Sequence, residues 1–256
     1  MAFFMHDQSV QNITLNEASI RQINTIFQRR IESLRAELAE QNIYLTYIIR
    51  FDNKGYKLFS IDELIQYFNQ AKSIDRIVFT IESDLSISTA RRTGTYFELF
   101  LNANNTINSG LIAFSDNHKE WAENSFNETY NILDKFKNSN YVAHHPLSKL
   151  ASRLISLFIL FLLSILITIK IPLNPKLENG RSFAFLLTFL AFSNIYTYLI
   201  QLSSWFLTQQ FPSIKFSNTT SRATHWIIQA IILAVLGWIG TESYKLFIDY
   251  KDIVFR

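Results

Sequence analysis

The feature that most constrains this chain is the uneven placement of its apolar residues. Three long apolar blocks follow one another between Leu154 and Trp238, whereas residues 1–153 have the mixed composition of a globular segment. The first block has no charge between Arg153 and Lys170. It reaches the length of about 20 mostly apolar residues that a membrane-spanning helix needs. The sequence therefore predicts a globular half followed by a membrane half.

The two later blocks predict two further spans. The second runs from residue 183 to about residue 208 without a charge, which is long enough to cross a bilayer with some tilt. The third occupies residues 225–240, after a polar break. We predict an all-α transmembrane bundle of three helices at about residues 153–173, 183–208 and 223–241, with a juxtamembrane linker at 141–152 and a C-terminal tail at 242–256.

A polar stripe runs along the second block. Its members are spaced 3, 4, 3 and 4 residues apart and share one helix face: Asn194, Thr197, Gln201, Ser204 and Thr208. Because an unpaired amide in lipid costs several kcal/mol, this face should contact protein or water. It is either a packing seam between helices or the lining of a water-filled path between several copies. The helix has no charged residue, which disfavours a proton relay.

The third block has a face of small residues. Ala230, Ala234, Gly237 and Thr241 are spaced 4, 3 and 4 residues apart, an arrangement that lets a second helix approach closely. Together the two faces predict association within the lipid membrane, as a homo-oligomer or with other membrane subunits.

Residues 1–140 predict an α+β domain. A long amphipathic helix has its apolar stripe buried on its own domain or against a second copy, and the stripe comprises Ile20, Ile23, Phe27, Ile31, Leu34 and Leu38. Strands are predicted at residues 43–51, 56–60, 76–83, 95–102 and 110–115, with further helices opening near Ser60 and Asn117. The order α-β-β-α-β-β-β-α favours a mainly antiparallel sheet covered by helices.

Charge and motif content exclude several classes of function. Residues 1–153 hold sixteen Lys or Arg against seventeen Asp or Glu, and the remainder hold eight against four, so the globular half has no basic surface for nucleic acid. The absence of cysteine excludes disulfides and thiolate metal sites. We predict no cofactor, metal or catalytic residue, because no phosphate-binding loop, dinucleotide fingerprint or hydrolase motif occurs. Four residues around residue 120 are interpreted as favourable at a helix start: Asp116, His118, Glu120 and Glu123.

One loop of the globular half has the residues to bind an anion. Arg91 and Arg92 are adjacent, among hydroxyl residues and a glycine, between two predicted strands. Guanidinium groups bind phosphate or carboxylate through two parallel hydrogen bonds. The loop therefore predicts a small anionic ligand.

The N-terminus indicates where the domain lies. The stretch MAFFMHDQSVQN has no basic region and no long apolar run, so it predicts no signal peptide. Lys149 and Arg153 make the N-terminal flank of the first span basic, which favours a cytosolic N-terminus. We predict an integral protein of the inner or plasma membrane with its N-terminal domain in the cytosol.

Three functions fit this layout. In the first, the cytosolic domain senses a ligand or partner and an oligomeric membrane part changes permeability or forms a pore. Such a membrane effector or signalling component is similar in layout to small bacterial membrane effectors, including some from antiviral defence. The second is a scaffold or assembly subunit of a membrane complex. The third is a membrane-anchored enzyme with its active site in the soluble domain, which the lack of a catalytic constellation disfavours.

Overall fold

The computed structural model describes most of the chain before residue 218. The described residues are 4–37, 42–103, 108–138, 140, 145–172 and 179–217, with 237, 241, 244, 245, 247 and 248 beyond them. The chain divides into two compact units. One comprises residues 1–141 and 211–219, and the other comprises residues 142–210 and 220–256.

The first unit is built on a six-stranded sheet in which every neighbouring pair is antiparallel. The strand order is β1-β7-β6-β5-β3-β4. The strands are β1 (Phe4–Ser9), β3 (Ile43–Phe51), β4 (Lys54–Leu58), β5 (Ile74–Ser83), β6 (Thr95–Asn102) and β7 (Gly110–Ser115). This confirms the predicted α+β domain with a mainly antiparallel sheet.

Three helices cover one face of the sheet: α1 (Glu17–Glu37), α2 (Ile61–Gln70) and α4 (Lys119–Lys135). The apolar stripe of α1 is buried on its own domain, from Ile20 to Leu34, and Leu38 lies outside the described residues. The Phe27 ring packs against the rings of Phe79 and Phe97, with centroids 5.3 and 4.8 Å away. The α2 helix begins where Ser60 Oγ accepts a hydrogen bond from the Asp62 N–H, as expected for a helix cap.

A second, two-stranded sheet joins distant parts of the chain. Strand β2 (Ile13–Leu15) pairs in parallel with β8 (Ile214–Phe216), which follows the second apolar block. The Ile13 N–H donates to the Ser213 carbonyl at 3.0 Å, and the Ser217 N–H donates to the Leu15 carbonyl at 2.8 Å. We call residues 211–217 the return segment, because through them the chain re-enters the domain that it left after Asn140.

Two ends of the first unit can be distinguished from the course of α1. The strand pair β2–β8 lies where α1 begins, because β2 immediately precedes that helix. The loop between β5 and β6 lies where α1 finishes, because β3 starts there and its Ile43 pairs with Ser83 at the end of β5. That loop contains the short helix α3 (Asp84–Ser88).

The second unit contains three described helices: α5 (Pro146–Lys170), α6 (Gly180–Ala191) and α7 (Ser193–Gln210). Helix α5 starts before the predicted residue 153 because Pro146 suits a first turn and His145 Nδ1 accepts the Leu147 N–H at 3.2 Å. Within the described ranges, only α5 is by itself long and apolar enough to cross a membrane. Helices α6 and α7 pass that test only as a pair bent by 50°.

The second of the three predicted spans is interrupted in the structure. Where the sequence predicts one continuous helix over residues 183–208, the structure has a break at Phe192, which has left the helical conformation. The third predicted span, 223–241, lies outside the described residues except for Gly237 and Thr241. The three-helix transmembrane bundle stays a prediction.

Candidate functional site

The loop between β5 and β6, with its two predicted anion-binding residues, has an unusual backbone. Ala90 and Arg91 have φ angles of 53° and 65°, in the left-handed region that side chains disfavour. Gly94 has a φ of +91°, and a Cβ atom there would lie 2.6 Å from the Ser86 nitrogen. The Gly94 N–H donates to Asp116 Oδ2 at 3.0 Å. The Arg91 N–H donates to the Ser86 carbonyl at 2.7 Å, which holds the backbone at Arg91 against α3.

The Arg91 guanidinium is held between two glutamates. Its Nε lies 2.7 Å from Glu82 Oε1, and its Nη2 lies 2.7 Å from Glu98 Oε2. Burial acts to lower the pKa of Arg91, but the hydrogen bonds and charges of Glu98 and Glu82 outweigh it and raise the pKa. An anion would therefore compete with two carboxylates for Arg91. Arg92 is exposed, and anion binding at these two residues stays a prediction.

Arg91 lies over the face of the sheet on which the described part of the chain places no helix, which we call the open face. Its guanidinium carbon is 5.2 Å from the centre of the Tyr96 ring, and that ring stacks on Phe114. Farther along the same face, Arg76 lies 4.8 Å from the centre of the Phe100 ring. Aromatic and charged groups thus alternate on the open face.

Two of the four residues at the start of α4 contact other elements of the domain. Asp116 accepts the Gly94 N–H, and His118 Nδ1 lies 3.0 Å from Glu37 Oε2 at the end of α1. Helix α4 begins after His118, one residue later than the predicted cap. Over the ranges that the structure describes, no three His, Asp or Glu side chains are grouped so as to hold a metal ion.

The polar stripe of the second block lies on α7 and faces outward. Asn194, Thr197, Gln201 and Ser204 are all exposed, while the Thr208 side chain lies outside the described residues. The half-buried face of α7 is on the other side of the helix and is formed by Ile195, Tyr196, Leu199, Ile200 and Ser203. The predicted stripe is therefore one face of one helix, and among the described helices of this unit the packing against α5 and α6 is made by the other face.

The small-residue face of the third block is only partly described. Gly237 and Thr241 are exposed, and Thr241 Oγ1 donates to the Gly237 carbonyl at 2.8 Å. Ala230 and Ala234 lie outside the described residues. Their role in helix packing stays a prediction.

The buried seam of this unit is one that the sequence analysis missed. Along α5, small hydroxyl residues recur every four or eight positions, at Ser152, Ser156, Ser164 and Thr168. The last three are buried, and each donates its hydroxyl hydrogen to the carbonyl four residues earlier. Ser152 Oγ also lies 2.5 Å from Ser203 Oγ on α7. Hydroxyls satisfied within their own helix act as small residues and allow close helix packing.

Comparisons with known proteins give no further information about the site. The chain matches no family model, and no characterised protein or solved structure is significantly similar to it. The functional argument therefore depends on the geometry of this molecule alone.

Proposed function

We propose that this chain is a multi-pass membrane protein whose N-terminal domain regulates an oligomeric membrane part, so that it acts as a membrane effector or signalling component. The return segment is the observation that carries the proposal. A domain that is merely anchored needs one connection to its membrane helix. Here the domain holds the chain at both ends of the α5–α7 excursion, so a change in the domain reaches the membrane helices from two sides.

Two sets of contacts fix the return segment. Ile214 is 1% exposed and belongs to the core of the domain. The Asn140 Nδ2–H donates to the Pro212 carbonyl at 3.0 Å, which joins the point of departure to the point of return. A strand of three residues is not stable alone. Strand β8 forms here because Ile214 packs into the core of the domain and because β2 offers a free edge for backbone hydrogen bonds.

The same contacts support a two-crossing path for residues 145–210. A chain that leaves and re-enters one domain crosses a membrane an even number of times. If α5 crosses once, the bent pair α6–α7 must cross once as well, as a broken span. In this proposal the N-terminal domain and the return segment share the cytosolic side of an inner or plasma membrane, consistent with the basic flank of α5 at Lys149 and Arg153.

The outward stripe on α7 supports assembly. Amide groups exposed to lipid are costly, whereas amides that meet a second helix form hydrogen bonds worth on the order of 1 kcal/mol. Copies of the stripe that face one another satisfy these groups, either as a dry seam or around a water-filled path that alters permeability. A scaffold subunit of a larger complex would use the same stripe toward other chains.

The test compares oligomeric mass and ion flux in the full-length protein. The double variant Asn194→Leu with Gln201→Leu should insert normally but lose its oligomer in detergent and its ion flux in liposomes. Tyr196→Phe is the control, because it removes a hydroxyl from the half-buried face of the same helix, on the side away from the stripe. An unchanged mass and flux in the double variant would contradict the proposal, and a monomer that assembles only with other proteins would favour the scaffold.

A further inference from the structure

The two long helices of the N-terminal domain enclose a cleft of about 400 Å³ on the side away from the sheet. Helices α1 and α4 are antiparallel, because Trp121 near the start of α4 donates its Nε1–H to the Arg30 carbonyl in the second half of α1. Each helix contributes four residues spaced 3, 1 and 3 apart. The cleft is lined by Gln22, Thr25, Ile26 and Arg29 of α1 and by Glu128, Asn131, Ile132 and Lys135 of α4.

One end of the cleft has an excess of positive charge. Glu128 pairs through one carboxylate oxygen with Arg29 and through the other with Arg30. Arg30 is largely covered, and its pKa is lowered by burial and by the neighbouring charge of Arg29. Arg29 is the exposed member, with 61% of its side chain accessible. A single carboxylate thus neutralises one of two guanidiniums, and the accessible guanidinium lines the cleft.

The other end of the cleft has a second cation. Lys135 lies seven residues after Glu128, so the two positions are about 10 Å apart along the helix. Lys135 makes no ion pair with any described residue, whereas Lys137 beside it pairs with Asp134 outside the cleft. Gln22 and Asn131 are exposed here, with amide groups that hydrogen-bond to no described residue.

We propose that this α1–α4 cleft binds a small molecule that carries several phosphate-type negative charges. Its lining holds two cations against one carboxylate, at a spacing that a single phosphate does not bridge. Arg29 offers paired N–H donors for one phosphate group and Lys135 offers a point charge for another. The amides of Gln22 and Asn131 suit polar groups near Lys135, and Ile26 and Ile132 give the cleft an apolar floor.

The position of the cleft connects it to the return segment. Helix α1 starts directly after β2, and α4 is followed by Phe136, whose carbonyl accepts the Thr14 N–H of β2 at 2.9 Å. Both walls of the cleft therefore end on the strand that holds β8. A ligand that draws the walls together acts on the attachment of the return segment. This regulatory step rests on the proposed function, whereas the binding itself does not.

The test uses sodium tripolyphosphate as the probe and calorimetry on the full-length protein in detergent. We expect saturable binding that is tighter than that of inorganic phosphate. Arg29→Gln and Lys135→Gln should each weaken it at least about tenfold, as expected for the loss of a charge-assisted hydrogen bond. Lys135→Gln breaks no ion pair with any described residue, so weaker binding in this variant reports on the cleft rather than on a lost structural pair. Lys137→Gln removes the same charge two residues away and should leave the affinity unchanged.

Two results would overturn the α1–α4 cleft as the site. One is no saturable binding of tripolyphosphate, and the other is binding that survives both cleft substitutions but is lost in Arg92→Gln. Hydrogen exchange of residues 211–217 and ion flux, with and without the probe, then test the coupling separately. Cleft-dependent binding that changes neither quantity upholds the site and counts against the proposed function.

Discussion

At the scale of single residues, Tyr47 shows how the domain joins strand to helix. Its hydroxyl donates to Asn24 Oδ1 at 2.6 Å and accepts from Gln28 Nε2 at 3.3 Å, so β3 is tied to two turns of α1. The Tyr47 ring is completely buried and meets Phe79 edge-on. Burial raises the pKa of Tyr47 to about 12, although the hydrogen bond from Gln28 opposes the shift. The folded domain therefore favours the neutral phenol.

This gives a pH-dependent prediction for Tyr47→Phe. The unfolded phenol loses its proton near pH 10 and the folded one near pH 12, so the contribution of Tyr47 to stability is complete below pH 10 and is lost as the pH rises toward 12. At pH 8 the variant should be less stable by about 1 kcal/mol, since a buried hydrogen bond is removed. The difference from the parent protein should shrink above pH 10.

Thermal unfolding followed by intrinsic fluorescence, at a series of pH values in detergent, measures the effect. Tyr56→Phe is the control, because the Tyr56 hydroxyl makes no hydrogen bond with the described residues and the substitution should cost little. A difference between parent and Tyr47→Phe that stays constant from pH 8 to pH 11.5 would refute the assignment.

At the scale of elements, the return segment depends on one apolar side chain. Ile214→Ala removes most of a side chain that is 1% exposed, and such substitutions cost about 2–5 kcal/mol. Because β8 has only three residues, we expect this loss to detach the strand while the six-stranded sheet stays folded. Lys215→Ala is the matched control, since adjacent side chains of a strand point to opposite sides.

Hydrogen exchange measured by mass spectrometry distinguishes the two variants. In Ile214→Ala the amides of residues 13–15 and 213–217 should exchange faster than in the parent protein, while those of β5 and β6 stay protected. Lys215→Ala should exchange like the parent. Equal protection of residues 213–217 in all three proteins would mean that Ile214 does not hold the segment.

The elements that the sequence predicted are those with a strong repeating pattern. The stripe of α1 and the strands β6 and β7 were predicted because long amphipathic or β-rich runs bury one face. By contrast, β8 has three residues after a proline, too few for a period, and its partner β2 lies about 200 residues away in the sequence. No short stretch of the sequence therefore predicts that β2 pairs with β8.

Some of the candidate sites are likewise predicted from a local pattern in the sequence, whereas others are visible only in the fold. The spacing of Asn194, Thr197 and Gln201 predicts one helix face, because side chains three and four apart are neighbours on any helix, and all three lie exposed on α7. Their role in packing or pore lining stays a prediction. The sequence predicts that the Arg91 guanidinium donates hydrogen bonds to an anion. Only the fold shows that Glu82 and Glu98 lie beside this guanidinium and would compete with the anion. Arg29 and Lys135 come from helices far apart in sequence, so the α1–α4 cleft has no sequence motif.

At the scale of the whole molecule, the return segment requires that residues 145–210 cross the membrane an even number of times. Residues 145–210 start and finish at the same domain, so either both hydrophobic elements of the excursion cross the membrane or neither does. The chain has no cysteine, so single cysteine variants report without background. Three exposed or half-buried positions serve as reporters: Lys57 on β4, Asn179 before α6 and Lys215 on β8.

We expect Lys57→Cys and Lys215→Cys to react with a membrane-impermeant maleimide from the cytosolic side, in inverted vesicles, and Asn179→Cys to react from the opposite side. Reaction of all three from one side would mean that α5 does not cross, and the multi-pass proposal would fail. Reaction of Lys57→Cys and Lys215→Cys from opposite sides would mean an odd number of crossings. The β2–β8 pair could not then exist in the membrane-inserted protein, and the coupling between domain and helices would be lost with it.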